Sequence, residues 1–165
     1  MNGFTLLVPG EPIAKGRPRV YNGHGVTPKR TRNAENRIYA EFRLKYPDAE
    51  PLQGLVRVDL EFWKPKRGKP DGDNLYKLVT DALNGVAYGD DKQIKEHEVL
   101  QREPDPIVKG RRPGTWRKRK TGDPLTWHGV EYEPHTYIRI TPLPEWDPRK
   151  STPTSTSTQV KEKTS

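Results

Sequence analysis

The chain contains no cysteine among its 165 residues. This absence excludes disulfide bonds, zinc–thiolate sites and a cysteine nucleophile, so any metal site must use mostly oxygen ligands. The chain also lacks a run of 18 apolar residues, and its first ten residues do not form a basic segment followed by a long apolar one. We therefore expect no transmembrane helix, no secretion signal and no membrane partner, and we predict a cytoplasmic protein.

Large apolar residues are scarce, since Leu, Ile, Val and Phe account for 32 of 165 residues while Gly and Pro account for 31. This share approaches the range of disordered chains, but the apolar residues cluster in periodic runs. We predict one folded domain over residues 1–146 and a disordered tail rich in Ser and Thr over residues 147–165. A core this small favours stabilisation by a partner chain.

The net charge is +8, from 30 Lys and Arg against 22 Asp and Glu, which indicates a polyanionic partner. The basic residues concentrate in a loop after the first strand, in a turn near residue 66 and in a segment near residue 115. The alternative for any one such run is a solvated surface. Three runs favour nucleic acid, and we predict phosphate contacts for Lys15, Arg17, Arg19, Lys64, Lys66, Arg67, Lys69, Arg111, Arg112, Arg117, Lys118, Arg119 and Lys120.

Hydrophobic periodicity predicts an α+β fold in which a small mixed β-sheet packs with two main helices in a single domain. Alternating residues predict strands over residues 4–8, 55–63, 93–101 and 137–141. Apolar residues at helical spacing predict helices over residues 29–46 and 73–86, the first of them with Thr27 as its N-cap and Pro28 as its first residue. Residues 11–28 and 104–134 show no usable period and are interpreted as irregular basic loops.

The segment Lys69–Lys77, with the sequence KPDGDNLYK, holds two carboxylates one residue apart at the start of the second helix. The helix N-terminus and the neighbouring cations should keep Asp71 and Asp73 ionised, and ionised carboxylates are the ligands that Mg²⁺ requires. The alternative is that Asp71 caps the helix and Asp73 only complements its dipole.

Two further features could complete a site. Lys77 lies one turn after Asp73 on the same helix face, although the two could form only a surface ion pair. Asp90 and Asp91 form a second acidic pair that could fold back beside the helix start, or could serve only as a turn. Joined together, the carboxylates would bind one or two metal ions and activate a water, while Lys77 would neutralise charge on a scissile phosphate or a leaving oxygen.

The sequence KPDGDNLYKLVTDALNG at residues 69–85, followed by GDDKQI at residues 89–94, resembles the RusA family of Holliday-junction resolvases. The family pattern is an Asp-x-Asp-Asn-Leu-x-Lys helix, an Asp-Ala-Leu segment and an Asp-Asp-x-Gln turn. The KGRPR loop at residues 15–19 is also similar to the N-terminal region of the family, and the similarity covers roughly residues 1–103 and the final strand.

The resemblance implies a RusA-like homodimeric crossover junction endodeoxyribonuclease that depends on Mg²⁺, with Mn²⁺ as the alternative. Such an enzyme nicks opposing strands of a four-way DNA junction symmetrically during recombination and repair, in a bacterial, phage or prophage setting. By the same resemblance Asp71, Asp73 and Asp91 are the metal-binding catalytic acids, and Lys77 is the catalytic lysine. Asn74 and Asp81 also match the pattern and are assigned to hydrogen bonding at the helix.

Two other functions remain open from the sequence. One is a flap-specific or other structure-specific nuclease that uses the same site, and the other is a non-catalytic basic DNA-binding module in which the acids only cap a helix. The segment 104–134 is longer than a minimal family member needs, and the tail has no family counterpart. Trp116 and Trp127 in that segment could stack on unpaired bases or could anchor the segment to the core.

Overall fold

The computed structural model describes residues 2–149, so all but the first three residues of the predicted tail lie outside the described residues. Within this range no helix is long and apolar enough to cross a membrane. The helices and strands are, in chain order, β1 (Phe4–Pro9), β2 (Arg19–Tyr21), β3 (His24–Val26), α1 (Lys29–Lys45), β4 (Val56–Trp63), α2 (Gly72–Leu83), a 3₁₀ turn (Asp91–Gln93), β5 (Ile94–Arg102), β6 (Ile107–Lys109), β7 (Trp116–Lys118), β8 (Thr126–Trp127), β9 (Val130–Glu131) and β10 (His135–Pro142).

A four-stranded mixed sheet in the order β1-β10-β4-β5 carries the fold. The pairs β1–β10 and β10–β4 are antiparallel, whereas β4 and β5 are parallel. Two parallel strands need a crossover connection, and α2 supplies it between β4 and β5. The prediction of a single α+β domain with a small mixed sheet and two helices is therefore confirmed.

The core lies between one face of this sheet and the two helices. Along β4 every second residue is buried, namely Val56, Val58, Leu60 and Phe62. Their neighbours on β1 and β10 point the same way, and the apolar faces of α1 and α2 cover them in one continuous cluster. This packing fixes the start of α2 against the end of β5.

The first basic loop contains more structure than its composition predicts. Strands β2 and β3 pair as a hairpin whose two-residue turn is Asn22 and Gly23, with φ of 49° and 77°. Asn-Gly is the favoured sequence for such a turn, because both residues must adopt positive φ. The predicted cap of α1 is wrong: Pro28 occupies the N-cap position without a side-chain cap, so Thr27 lies outside the helix.

The interpretation of residues 104–134 as an irregular loop is also wrong, because they form two hairpins, β6–β7 and β8–β9. Strands of two or three residues are too short to show a period. The carboxylate of Asp105 accepts hydrogen bonds from Thr126, His128 and Gly129 at 2.8–2.9 Å, which holds the second hairpin. The indole rings of Trp63 and Trp127 then attach this segment to β4, with centroids 5.4 Å apart.

Candidate active site

Asp71 and Asp73 lie at the first turn of α2, beside the carboxyl ends of the parallel strands β4 and β5. They line an open cleft of about 620 Å³ together with Gln101 near the end of β5 and Glu103 just after it. The carboxyl end of neighbouring parallel strands is where open α/β sheets place their ligands. The topology therefore brings the first acidic pair to a position where a substrate can reach it.

The capping alternative does not account for Asp71. The residue occupies the N-cap position of α2 in an extended conformation, yet its side chain caps no backbone amide. Within residues 2–149, neither Asp71 nor Asp73 has a side-chain hydrogen bond or ion pair. Two carboxylates therefore lie together at the start of a helix, and neither is paired with a cation of the described chain.

Lys64, which the sequence predicts as a phosphate contact, lies in the interior of the fold. Its side chain is buried, and its Nζ donates to the carbonyl oxygens of Gly68 and Pro70 and to Oε1 of Gln101. A carboxylate oxygen of Glu103 lies 3.7 Å away. Lys64 therefore has no free donor for DNA, and it holds the turn that carries Asp71 against the end of β5.

Gly72, between the two aspartates, allows the first turn of α2 to lie close to Gln101 of β5. A Cβ at this position would lie 2.8 Å from Nε2 of Gln101. Gln101 could not move aside freely, because its Oε1 accepts a hydrogen bond from Lys64 at 3.1 Å. Glycine thus lets the start of α2 rest directly on β5.

Lys77 does not pair with Asp73. Its Nζ lies 2.8 Å from Oδ1 of Asp81, whose Oδ2 lies 2.7 Å from Nζ of Lys15. Lys15 in turn contacts Glu35 at 2.6 Å, and its backbone amide donates to the carbonyl of Asn74. The predicted phosphate contact of Lys15 is thus not supported, since two carboxylates occupy its amino group and tie the first loop to both helices.

The electrostatics of this network keep Lys77 charged. The hydrogen bond to Asp81 raises the pKa of Lys77, and the charge of Asp91 adds to this effect. Burial raises the pKa of Tyr76, and the charge of Asp91 raises it further. Asp91 therefore lies within electrostatic reach of the second turn of α2, although it belongs to another element.

In the acidic turn before β5, the two aspartates make different contacts. Asp90 accepts a hydrogen bond from the amide of Lys92 at 2.8 Å, and this bond holds the pKa of Asp90 below its ordinary value. Gln93 completes the cap by accepting from the amide of Asp90, and it donates to the carbonyls of Leu52 and Gly54. Asp90 and Gln93 thus build the turn, while the carboxylate of Asp91 caps nothing.

The three candidate metal ligands are not gathered into one preformed cluster. Within the described range, no three Asp, Glu or His side chains are placed to hold one metal ion. The chemistry of Asp71 and Asp73 nevertheless suits Mg²⁺, which usually binds one or two protein carboxylates and completes its shell with water and substrate phosphate. Asp91 belongs to the turn before β5, and its charge acts on Lys77, which lies one turn after Asp73 on α2.

The predicted DNA-binding residues fall into two groups. Besides Lys15 and Lys64, three of them make internal contacts: Arg67 donates to the carbonyl of Pro104, Arg117 forms a bidentate pair with Asp123, and Arg119 donates to the carbonyl of Asp105. The others are exposed and, in the described part of the chain, have no side-chain hydrogen bond or ion pair: Arg17, Arg19, Lys66, Lys69, Arg111, Arg112, Lys118 and Lys120. Lys66 and Lys69 belong to the turn that leads into the acidic cleft.

Asp81 makes the acid stability of the protein depend on this network. Burial alone would raise the pKa of Asp81, but the hydrogen bonds and charges of Lys15 and Lys77 outweigh it and lower the pKa. A carboxyl whose folded pKa is lowered stabilises the fold above its unfolded pKa of about 3.9, and this stabilisation is lost as pH falls through the folded pKa.

We therefore expect Asp81→Asn to reduce the free energy of unfolding by about 1 kcal/mol at pH 7, and the deficit should shrink as the pH falls from about 4. Urea denaturation of both proteins between pH 7 and pH 2.5 measures the difference. Asp48→Asn, on an exposed turn, is the matched control. A deficit that stays constant over this range would mean that the Asp81 charge is not involved.

Comparison with known proteins identifies the family of the chain. The sequence model of the family described as Endodeoxyribonuclease RusA matches residues 9–119. The match covers more than half of the chain, so the chain is a member of the RusA family of endodeoxyribonucleases. It is also similar to the uncharacterized protein YqaN of Bacillus subtilis (strain 168), with 29% identity over 124 residues that cover 60% of this chain and 87% of the relative.

Proposed function

We propose that this chain is a Mg²⁺-dependent endonuclease that resolves four-way DNA junctions by paired symmetric nicks in the cytoplasm. The observation that carries the proposal is the pair of unpartnered carboxylates, Asp71 and Asp73, in an open cleft that is also lined by the exposed Lys69. Lys66 is exposed on the same turn. Acids alone would repel a phosphodiester. Cations beside them bring the DNA backbone close, and a divalent metal compensates the remaining negative charge.

The residues of the site would have separate roles in the reaction. Asp71 and Asp73 would hold Mg²⁺, with Mn²⁺ as a substitute, and Asp91, which is not gathered with them in this structure, would join them as the third acid of the family pattern. The bound metal would supply water activation and charge neutralisation at the phosphate. Lys77 is protonated at neutral pH, and Asp81 raises its pKa further, so it can stabilise negative charge on the phosphate or the leaving oxygen. Asp81 and Lys15 position Lys77 and do not touch the substrate.

A homodimer suits this activity. Two symmetric cuts need two active sites, and a junction with two-fold symmetry is matched by a two-fold dimer. The core is small for a chain of this length, which favours a second copy as a stabilising partner. Sedimentation at micromolar concentration should therefore give twice the mass of one chain.

The decisive experiment is cleavage of a labelled synthetic four-way junction, beside a linear duplex and a flap of the same arm sequences. We expect paired nicks at symmetric positions on the junction with Mg²⁺ or Mn²⁺ and no cutting with EDTA. Metal-dependent cutting of flap or duplex at similar rates would indicate a broader structure-specific nuclease. Binding that is sensitive to salt but never followed by cutting would indicate a DNA-binding module.

A further inference from the structure

The hairpin β6–β7 presents a face that the acidic cleft does not use. In its register Ile107 is paired with Lys118, and Lys109 with Trp116. Directly paired residues of an antiparallel hairpin lie on the same face, so these four side chains form one surface. Trp116 on this surface is 63% exposed, and Lys109 and Lys118 are exposed beside it.

The opposite face of the hairpin is anchored. Arg117 forms two hydrogen bonds of 2.8 Å to the carboxylate of Asp123, and Val108 lies beside it as its paired neighbour. Arg119, just after β7, donates to the carbonyl of Asp105 and to the hydroxyl of Thr126. These contacts fix one face of the hairpin to the rest of the protein, and the other face, which carries Trp116, is exposed.

Trp127, the other candidate for stacking, is used differently. Its ring packs edge-on against Trp63, and the guanidinium of Arg102 lies 4.6 Å from its centroid. Trp127 therefore anchors the segment to the sheet, as one of the two sequence interpretations predicted. Trp116 has no ring contact or cation–π partner among residues 2–149.

The positive charge around Trp116 indicates a negatively charged partner. Residues 109–120 contain seven Lys or Arg and no Asp or Glu. Lys109, Lys118 and the turn residues Arg111 and Arg112 are exposed and make no side-chain hydrogen bond or ion pair within the described chain. Free cations that surround an exposed aromatic ring match a phosphate backbone with an accessible base, whereas a protein contact of this size would more often be depleted of lysine.

A cavity of about 620 Å³ opens beside the ring, lined in part by Trp116, Pro124 and His128. Its volume is within the range of pockets that hold small organic ligands. Two of its acids are already compensated, Asp123 by Arg117 and Asp105 by the amides of the second hairpin. The third acid of the lining, Glu131, is exposed and has no hydrogen bond or ion pair within residues 2–149, so the cavity suits an uncharged planar base rather than a phosphate.

We propose that the exposed face of β6–β7 binds an unstacked DNA base on Trp116 while Lys109, Lys118, Arg111 and Arg112 contact the flanking phosphates. The inference rests on the proposed function in so far as the substrate is DNA, and it adds a second contact that favours DNA with unpaired or splayed bases over continuous duplex. Stacking on an aromatic ring tolerates any sequence, because every base has a π face.

The test measures binding in EDTA, where cutting plays no part. The variants are Trp116→Ala, Trp116→Phe and, as a matched control, Trp146→Ala, since Trp146 is an exposed tryptophan outside the hairpin. The probes are an oligo-dT strand, a four-way junction and a linear duplex, each followed by fluorescence anisotropy. We expect Trp116→Ala to weaken binding of the strand and the junction about tenfold and of the duplex less than twofold, and Trp116→Phe to restore most of the loss.

The double variant Lys109→Gln/Lys118→Gln separates phosphate contact from stacking. It should weaken binding of all three probes and reduce the slope of log K against log salt by about 2. The proposal is overturned if Trp116→Ala binds every probe as the wild type does, or if it weakens duplex and single strand equally. A change in sedimentation with unchanged DNA binding would overturn it in favour of a protein contact.

These outcomes are independent of cleavage. If the wild type cuts no junction with Mg²⁺ but Trp116→Ala selectively loses single-strand binding, the nuclease proposal fails and the base-binding surface stands. If the wild type cuts junctions and Trp116→Ala binds and cuts normally, the nuclease proposal stands and the base-binding surface fails.

Discussion

Asp73→Asn should bind a four-way junction at least as tightly as the wild type and cleave it at least about a hundredfold more slowly. Asp73 lies in the acidic cleft without a protein partner, so its charge is available only to a ligand. Replacing the carboxylate with an amide removes a negative charge, which weakens the hold on a divalent cation and slightly favours the DNA backbone.

The measurement combines single-turnover cleavage in Mg²⁺ with anisotropy in EDTA. Asp48→Asn, which makes the same chemical change on an exposed turn outside the cleft, should cleave as the wild type does. Asp71→Asn should resemble Asp73→Asn, because both carboxylates line the same cleft. Cleavage by Asp73→Asn at the wild-type rate would remove this residue from the mechanism.

Lys64→Ala should lower the free energy of unfolding by about 3 kcal/mol, a large effect for a single lysine. Lys64 is only 1% exposed, and its Nζ is the donor to two carbonyl oxygens and to Gln101. Truncation leaves these acceptors unsatisfied and opens a cavity under the turn that carries Asp71. Cleavage should fall as well, because the first turn of α2 loses its support.

Urea denaturation followed by circular dichroism measures the stability loss. Lys66→Ala is the matched control, because Lys66 lies two residues away on the same turn but is exposed and should change stability by less than about 0.5 kcal/mol. Lys64→Met keeps the buried stem and removes only the donor, so it should lie between the two. Equal stability of Lys64→Ala and Lys66→Ala would contradict a structural role for the buried lysine.

Much of the sheet and both helices could be predicted from periodicity. The alternation Val56, Val58, Leu60 and Phe62 identifies a strand buried on one face, and the structure places each of these residues in the core. The same alternation continues to position 64, which is the signal that Lys64 faces inward. The basic composition of the turn nevertheless predicted an exposed Lys64, because a lysine in such a turn is usually solvated.

The two hairpins of residues 104–134 could not be predicted from periodicity. The strands of 104–134 have two or three residues, and they form because Asp105, Arg119 and Trp127 hold them from positions far apart in the sequence. Short strands have little intrinsic stability, so their existence depends on contacts that a sequence pattern does not contain. The same is true of Lys15, whose partners Asp81 and Glu35 come from two different helices.

The sequence by itself determined the α+β class, the two long helices, the central strands and the acidic segment with its family, because these depend on local periodicity and on a contiguous motif. Only the tertiary structure decided which basic residues are free for DNA, since burial and ion pairing are long-range properties. It also separated Asp71, which caps nothing, from Asp90, which caps a turn. Both lie at a helical start in the sequence, and only the hydrogen bonds of the folded chain distinguish them.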